Sequence, residues 1–350
     1  MKIKNFFSEN IQKRICKPYL LAEAGVNHEG SLDLAKKLIE QAKEGGADGI
    51  KFQTYKAELL ASKNSPSYWD LSKEPVNSQF KLFKKYDKFW KNEFEILKKH
   101  CDLLDIDFLS TPFDFESAKF LNDLMDVFKV SSSDLTNTPF VEYMCTFNKP
   151  IILSTGASNI DEIQNITEII LKNKNKLCLL HCVLNYPTED HNANLGMIVD
   201  LKNKFPECFI GYSDHTMPDD LKVLEISTLL GASFIEKHFT LDKNLKGNDH
   251  YHAADKTDLI NFNLKLDSLF KIIGSFEKKS LDSEIISRKN ARRSLFLKNS
   301  IKKGDLIKVE NIIAKRPATG ISPQHINQVI GKRSKRNIES DETFNFIDLE

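Results

Sequence analysis

The 350-residue chain has no apolar run near the roughly 18 residues that cross a bilayer, and its first twenty residues, MKIKNFFSENIQKRICKPYL, lack the apolar centre of a signal peptide. A cytoplasmic protein with no membrane partner is expected. An excess of one charge is missing too. Against 50 Lys+Arg stand 49 Asp+Glu, a net charge of +1, so no general electrostatic force draws the chain to nucleic acid. The six cysteines, at 16, 101, 145, 178, 182 and 208, have no paired metal spacing and lie in apolar segments, as reduced core thiols do. A glycine-rich nucleotide loop is also absent, because STGAS has one glycine and no lysine.

What is present is a repeating strand-then-helix unit. YLLAEAG (19–25) is a short apolar run, followed by the loop NHEGS and the amphipathic stretch LDLAKKLIEQAKEGG. The unit recurs from GIKFQ (49–53), DFLSTPF (107–113), VFKVS (127–131), PIILSTG (150–156), LCLLHCV (177–183), FIGYS (209–213) and FIEKHF (234–239). Eight such units predict an α/β fold with a closed (β/α)8 barrel. Helices are expected over 92–104, 115–125, 160–172, 219–230 and 257–275. The aromatic, lysine-rich insertion at about 55–90 reads as a lid or cap over the strand C-terminal ends. The division predicted is a barrel over 1–277, a polar linker over 278–292 and a small β-rich domain over 293–350, with strands at SLFL, IIAKR and TFNFI.

Chemistry in such a barrel sits at the C-terminal strand ends. Side chains alternate along a strand, so Ser213 and His215 share one face, as do Glu236 and His238, while Asp214 and Lys237 point the other way. The two histidines are therefore candidate ligands of one metal ion, and two protein nitrogens suit an open octahedral ion better than a closed zinc site. His181 reads as a core histidine. Lys51 alone would fit a Schiff-base aldolase. Lysines on the second and fourth strands, with several hydroxyls, fit a phosphate clamp instead.

The series LAEAGVNHEG, GIKFQ, STPFD, KVSSSD, ILSTGAS, HCVLNYP, GYSDHT, EKHFTLD, RRSLF, KKGD and KRPATGIS resembles the N-acetylneuraminate (sialic acid) synthase family from about 18 to 345. The resemblance implies a TIM barrel followed by an antifreeze-like (SAF) domain, and condensation of phosphoenolpyruvate with an N-acylated amino-sugar aldehyde with C–O cleavage and phosphate release. It implies phosphoenolpyruvate contacts at Lys51, Thr111, Lys129, Ser132, Ser154, Asn185 and Ser213, and sugar contacts at Gln53, Tyr186, Glu236, Asp249 and Arg316. It further implies a proton-transfer role for Glu23, a divalent ion on His215 and His238 (Mn2+, with Mg2+ or Co2+ as substitutes), and a domain-swapped homodimer in which Arg316 comes from the partner.

Three segments depart from the family pattern: KVSSSD, with Ser131 and Ser133; GNDHYHAAD, where His250, Tyr251 and His252 would reshape the sugar end of the pocket; and Ala318, where a glycine is common. With the aromatic insertion, these departures are compatible with a legionaminate- or pseudaminate-type product, and N-acetylmannosamine and a 2,4-diacetamido-6-deoxyhexose both stay open as acceptors. The alternatives are a pyruvate-type aldolase working through Lys51 or Lys129, and an inactive sugar-binding protein.

Overall fold

The computed structural model describes residues 1–8, 15–247 and 249–350. They form two units, Met1–Ile273 and Gly274–Glu350. In the first, eight strands are present where apolar runs predict them: β1 (Tyr19–Gly25), β2 (Gly49–Thr54), β3 (Asp107–Pro112), β4 (Phe128–Val130), β5 (Ile151–Ser154), β6 (Leu177–Cys182), β7 (Phe209–Asp214) and β8 (Phe234–His238). Neighbours pair in parallel in the order β3-β2-β1-β8-β7-β6-β5-β4, and β3 packs beside β4. The sheet therefore closes into a TIM-like barrel. Almost every strand residue is buried, as expected of strands covered on the outside by helices and on the inside by each other.

The helix at Leu32–Glu44 shows why the pattern is read so directly. Ala35, Leu38, Ile39 and Ala42 are its buried stripe, and the Ser31 hydroxyl accepts from Leu34 N at 3.4 Å to cap its start. Helices also form at Lys91–Leu103, Phe115–Leu121, Ile160–Lys172, Lys222–Leu229 and Lys256–Ile273. Two more, Thr138–Cys145 and Gly196–Lys204, follow β4 and β6 as the repeating unit predicts and complete the outer layer. Gly211 is required by close approach: a Cβ there would lie 2.5 Å from both Leu180 Cδ2 and Phe234 O, so its absence lets β7 sit tightly between β6 and β8.

The two ends of the barrel differ in chemistry. At the strand starts, Phe6 and Phe7 pack on Tyr19, Phe209 and Phe234 with ring centroids 5.0–6.2 Å apart, an aromatic plug. The polar and charged strand residues gather at the other end. The insertion folds locally over that end, with helices at Ala57–Leu60 and Gln79–Tyr86, and Trp69 Nε1 donates to the carbonyls of Glu74 and Val76 at 3.2 and 3.0 Å.

The second unit pairs β9 (Ser294–Leu297) with β10 (Ile312–Lys315) in antiparallel register. It builds its own core from Leu295, Leu297, Ile301, Ile307, Ile312, Ile321, Val329, Ile338, Phe344 and Leu349. TFNFI is not the strand expected. Thr343 makes a single bridge to Phe296, and the chain then turns into a 3-10 helix at Phe346–Asp348, because the Asp348 carboxylate accepts from Asn345 N at 2.8 Å.

Candidate active site

A cleft of about 1040 Å3 opens at the C-terminal ends of the strands. Glu23, Lys51, Gln53, Thr111, Lys129, Ser132, Ser154, Tyr186, Ser213, His215, Glu236, His238 and Asp249 all line it, so the barrel gathers thirteen of the fifteen residues singled out from sequence. Of the other two, one belongs to the barrel and one to the second unit. Asn185 is exposed, with its backbone carbonyl accepting from Thr188 Oγ1 at 2.9 Å, and Arg316 is an exposed residue of the second unit.

At the centre of the floor two lysines and two carboxylates interleave. Lys51 Nζ lies 2.6 Å from Glu23 Oε2 and 3.9 Å from Glu236 Oε1, and Lys129 Nζ lies 3.7 Å from Glu236 Oε2. The residues come from β1, β2, β4 and β8, whose inward side chains meet only because the sheet closes. Hydroxyls ring the lysines: Lys51 Nζ donates to Thr111 Oγ1 at 3.1 Å, Lys129 Nζ to Ser154 Oγ at 2.7 Å, and Ser213 Oγ to Glu236 Oε1 at 3.1 Å. Ser132 Oγ accepts from Gly156 N at 2.9 Å.

Burial sets the charges apart. It pushes the Glu23 carboxyl up to about 7, against the pull of Lys51. Burial acts on Glu236 in the same sense, but Lys129 and Lys51 outweigh it and hold that carboxyl below its ordinary value. Burial pulls the Lys129 ammonium down. It pulls on Lys51 too, where Glu23 and Glu236 outweigh it and hold the group charged. The two carboxyls that flank Lys51 thereby differ in their readiness to hold a proton. Glu236 Oε2, 3.7 Å from the Lys129 ammonium, accepts no hydrogen bond among the described residues. A buried acceptor left open beside a cleft suits a ligand rich in O–H and N–H groups.

The histidines stand at one side of this floor. His215 Nδ1 is engaged by the Val183 carbonyl at 2.7 Å, which leaves its other nitrogen free to serve a ligand. Burial lowers His215 to about 4 and His238 well below the ordinary histidine value, so both are neutral imidazoles, the form that binds metal. The rings of His215 and His238 are 5.3 Å apart, and the Tyr186 ring lies 4.1 Å from that of His215, tilted by 39°. A tighter donor group is His238, Asp249 and His252, whose ligand atoms all lie within 4.8 Å of one another. These residues fit a divalent ion. His252 was read from sequence as shaping the sugar end. The overlooked signal is a carboxylate and an imidazole three positions apart just after a strand that already offers a histidine.

The insertion adds an aromatic wall. Tyr68, Trp69, Leu82, Phe83 and Tyr86 of the insertion line the cleft beside Tyr55 and Phe113, and His250 closes the end near Gly247.

Family models match most of the chain: the NeuB family over residues 38–278 and the SAF domain over 292–350. An N,N'-diacetyllegionaminic acid synthase of Campylobacter jejuni is 39% identical, covering 93% of this chain and 98% of that protein. A protein of the same name from Legionella pneumophila is 35% identical, covering 93% and 92%. The crystal structure of an N-acetylneuraminic acid (sialic acid) synthetase from Leptospira borgpetersenii, in complex with citrate, superposes with a TM-score of 0.70 at 33% identity, covering 78% of this chain and 90% of the other. A barrel with this charged floor, followed by the small β unit and matched at these levels, belongs to the NeuB family of nonulosonic acid synthases, with a C-terminal SAF domain.

Proposed function

We propose that the protein condenses phosphoenolpyruvate with a 2,4-diacetamido-6-deoxyhexose aldehyde to give a legionaminate-type nonulosonic acid and inorganic phosphate. The observation that carries the reading is the pair Lys51 and Lys129 within a ring of hydroxyls, a fit for a phosphate and a carboxylate held by charge-assisted hydrogen bonds. The acceptor is argued from the aromatic wall. Tyr68, Trp69, Leu82 and Phe83 favour acyl methyls and a deoxy carbon over a run of hydroxyls. The names of the two relatives point the same way.

In the reaction, C3 of phosphoenolpyruvate attacks the aldehyde carbon while the enol electrons leave C2 with oxocarbenium character. Glu23, half protonated near neutrality, gives its proton to the developing alkoxide and as carboxylate takes one from the water that adds to C2. The tetrahedral intermediate then breaks the bond from C2 to the phosphate ester oxygen while its C2 hydroxyl gives its proton to the departing phosphate, leaving the 2-keto acid and hydrogen phosphate. Lys51 and Lys129 neutralise the phosphate throughout. Glu236 orients sugar hydroxyls or the acyl N–H through its open oxygen. His238, Asp249 and His252 would hold a divalent ion, with His215 alongside; when bound, it polarises the aldehyde as a Lewis acid.

The test is phosphate release from phosphoenolpyruvate with Mn2+, against N-acetylmannosamine, a 2,4-diacetamido-6-deoxyhexose panel and a no-sugar blank, each with and without chelator. Chelator-sensitive release with a diacetamido sugar is expected. Silence with every sugar, or a borohydride-trapped pyruvate adduct on Lys129, whose lowered ammonium would suit an amine nucleophile, would overturn the reading.

Glu23 also makes substrate binding pH-dependent. Its folded carboxyl titrates at about 7, and a dianion docked on Lys51 removes the cation that favours its ionised form. Phosphoenolpyruvate binding at a pH just above 7 should therefore take up a proton. The uptake should fade below roughly pH 6, where Glu23 is already protonated in the free protein. Calorimetry in buffers of different ionisation enthalpy measures this, and Glu23→Gln should abolish it. Equal uptake in the variant would assign the proton elsewhere.

A further inference from the structure

We infer that Tyr251 is a positioning residue for the acceptor sugar and acts through Tyr186. Tyr251 lies in GNDHYHAAD, one of the segments that depart from the family pattern, and its hydroxyl donates to the Tyr186 carbonyl at 3.1 Å, joining the loop after β8 to the loop after β6. Tyr186 lines the cleft, with its ring 4.1 Å from that of His215 and 5.8 Å from that of His238. The Tyr186 hydroxyl makes no hydrogen bond among the described residues. A phenol at the cleft wall with both its donor and its acceptor unspent suits a sugar hydroxyl or amide.

The rest of the Tyr186 loop is tied down by other groups. The Val183 carbonyl meets His215 Nδ1 at 2.7 Å, the Asn185 carbonyl accepts from Thr188 Oγ1 at 2.9 Å, and Thr188 N donates to the His215 carbonyl at 2.9 Å. Tyr186 falls between these ties. Pro187 follows it and has no N–H to give, and among the described residues Tyr251 Oη is the one donor to the Tyr186 carbonyl. The anchor behind that donor is firm. Ala254 N donates to the His238 carbonyl at 2.7 Å and Thr240 N to the Ala254 carbonyl at 2.9 Å, so the chain that carries Tyr251 returns along the end of β8.

The Tyr251 ring has a second neighbour, Lys73 of the insertion, whose Nζ lies 5.3 Å from the ring centroid. That contact concerns the ring; the hydroxyl alone reaches Tyr186. A phenylalanine at 251 would keep the first and lose the second, which makes the two separable. A contact group displaced by a fraction of an ångström weakens what it binds, so the carbonyl tie bears on the sugar without touching it. The inference rests on the synthase reading for the identity of the ligand and on this hydrogen bond for the residue.

The test is phosphate release by full-length Tyr251→Phe with the sugar of the acceptor panel that the parent turns over fastest, beside calorimetric binding of phosphoenolpyruvate alone. KM for the sugar should rise about 10-fold, the size of one lost hydrogen bond, while phosphoenolpyruvate affinity stays within about twofold. A merely structural role would move both. In a Tyr186→Phe background the hydroxyl to be positioned is gone, so adding Tyr251→Phe should change the sugar KM by less than about twofold. Lys73→Met, which spares the hydroxyl, should stay within about threefold of the parent. An unchanged sugar KM in Tyr251→Phe, additive effects of the two tyrosine variants, or an equal loss in Lys73→Met would overturn the inference and leave the reaction standing. A parent that releases no phosphate with any sugar would take down the synthase reading, and the inference with it.

Discussion

Lys129→Met is expected to lower kcat/KM for phosphoenolpyruvate by about 10³-fold, roughly 4 kcal/mol of transition-state stabilisation, with the fold retained. Methionine keeps most of the length and volume of lysine and removes only the charge. The ammonium is buried, donates to Ser154 Oγ at 2.7 Å and stands 3.7 Å from Glu236, so in the free protein it is already oriented. A bound phosphate meets a cation whose desolvation cost was met on folding, which is why one such group is worth far more here than at a surface. Glu236 in the variant keeps the Ser213 hydroxyl at 3.1 Å and Lys51 at 3.9 Å, so it is not left without a counter-charge. Initial rates of phosphate release, with far-ultraviolet circular dichroism as the fold control, decide the matter. A fall of less than threefold would reduce Lys129 to a structural counter-ion of Glu236.

The barrel was legible because its strands are buried on both faces and so appear as unbroken apolar runs ending in a polar residue. The facing of Ser213, His215, Glu236 and His238 followed from period-two alternation alone. The joint work of Lys51, Lys129, Glu23 and Glu236 was harder to see. They belong to four strands, and only closure in the order β2-β1-β8 on one side and β4 across the barrel brings them together. Glu236, expected from sequence at the sugar, also stands between both lysines as their shared anion, which no local pattern announces. His252 was read as a wall residue, because nothing local announces that 250–254 doubles back along β8. The helix at Gly196–Lys204 begins at a glycine, with no side-chain cap hydrogen bond to mark its start.

The residues pointing away from the cleft matter as much for the site's geometry. Lys237→Met is expected to destabilise the protein by about 3–5 kcal/mol, the range for a buried ion pair robbed of one partner. Lys237 and Asp214 have side chains only 0% and 1% exposed and meet at 2.8 Å. Asp214 also accepts from Tyr212 Oη at 2.9 Å, Thr216 N at 3.0 Å and Thr216 Oγ1 at 3.1 Å, while Lys237 donates to the Thr216 carbonyl. Burial alone would push the Asp214 carboxyl up; Lys237 and Thr216 outweigh it and hold it below the ordinary aspartate value. Its contribution is therefore present at neutral pH and lost as pH falls through that lowered value. Without Lys237 the carboxylate stays buried and unpaired. The double variant Asp214→Leu with Lys237→Met should recover part of the loss, since an apolar pair of similar volume removes both charges. Urea unfolding of the parent, Lys237→Met, Asp214→Leu and the double variant measures the cycle. His215 and His238 each follow one of these two residues, so the single variant should also weaken turnover where a merely global loss would not. A Lys237→Met protein as stable as the parent, or a double variant no better than the single one, would show that the ion pair does not fasten the ends of β7 and β8.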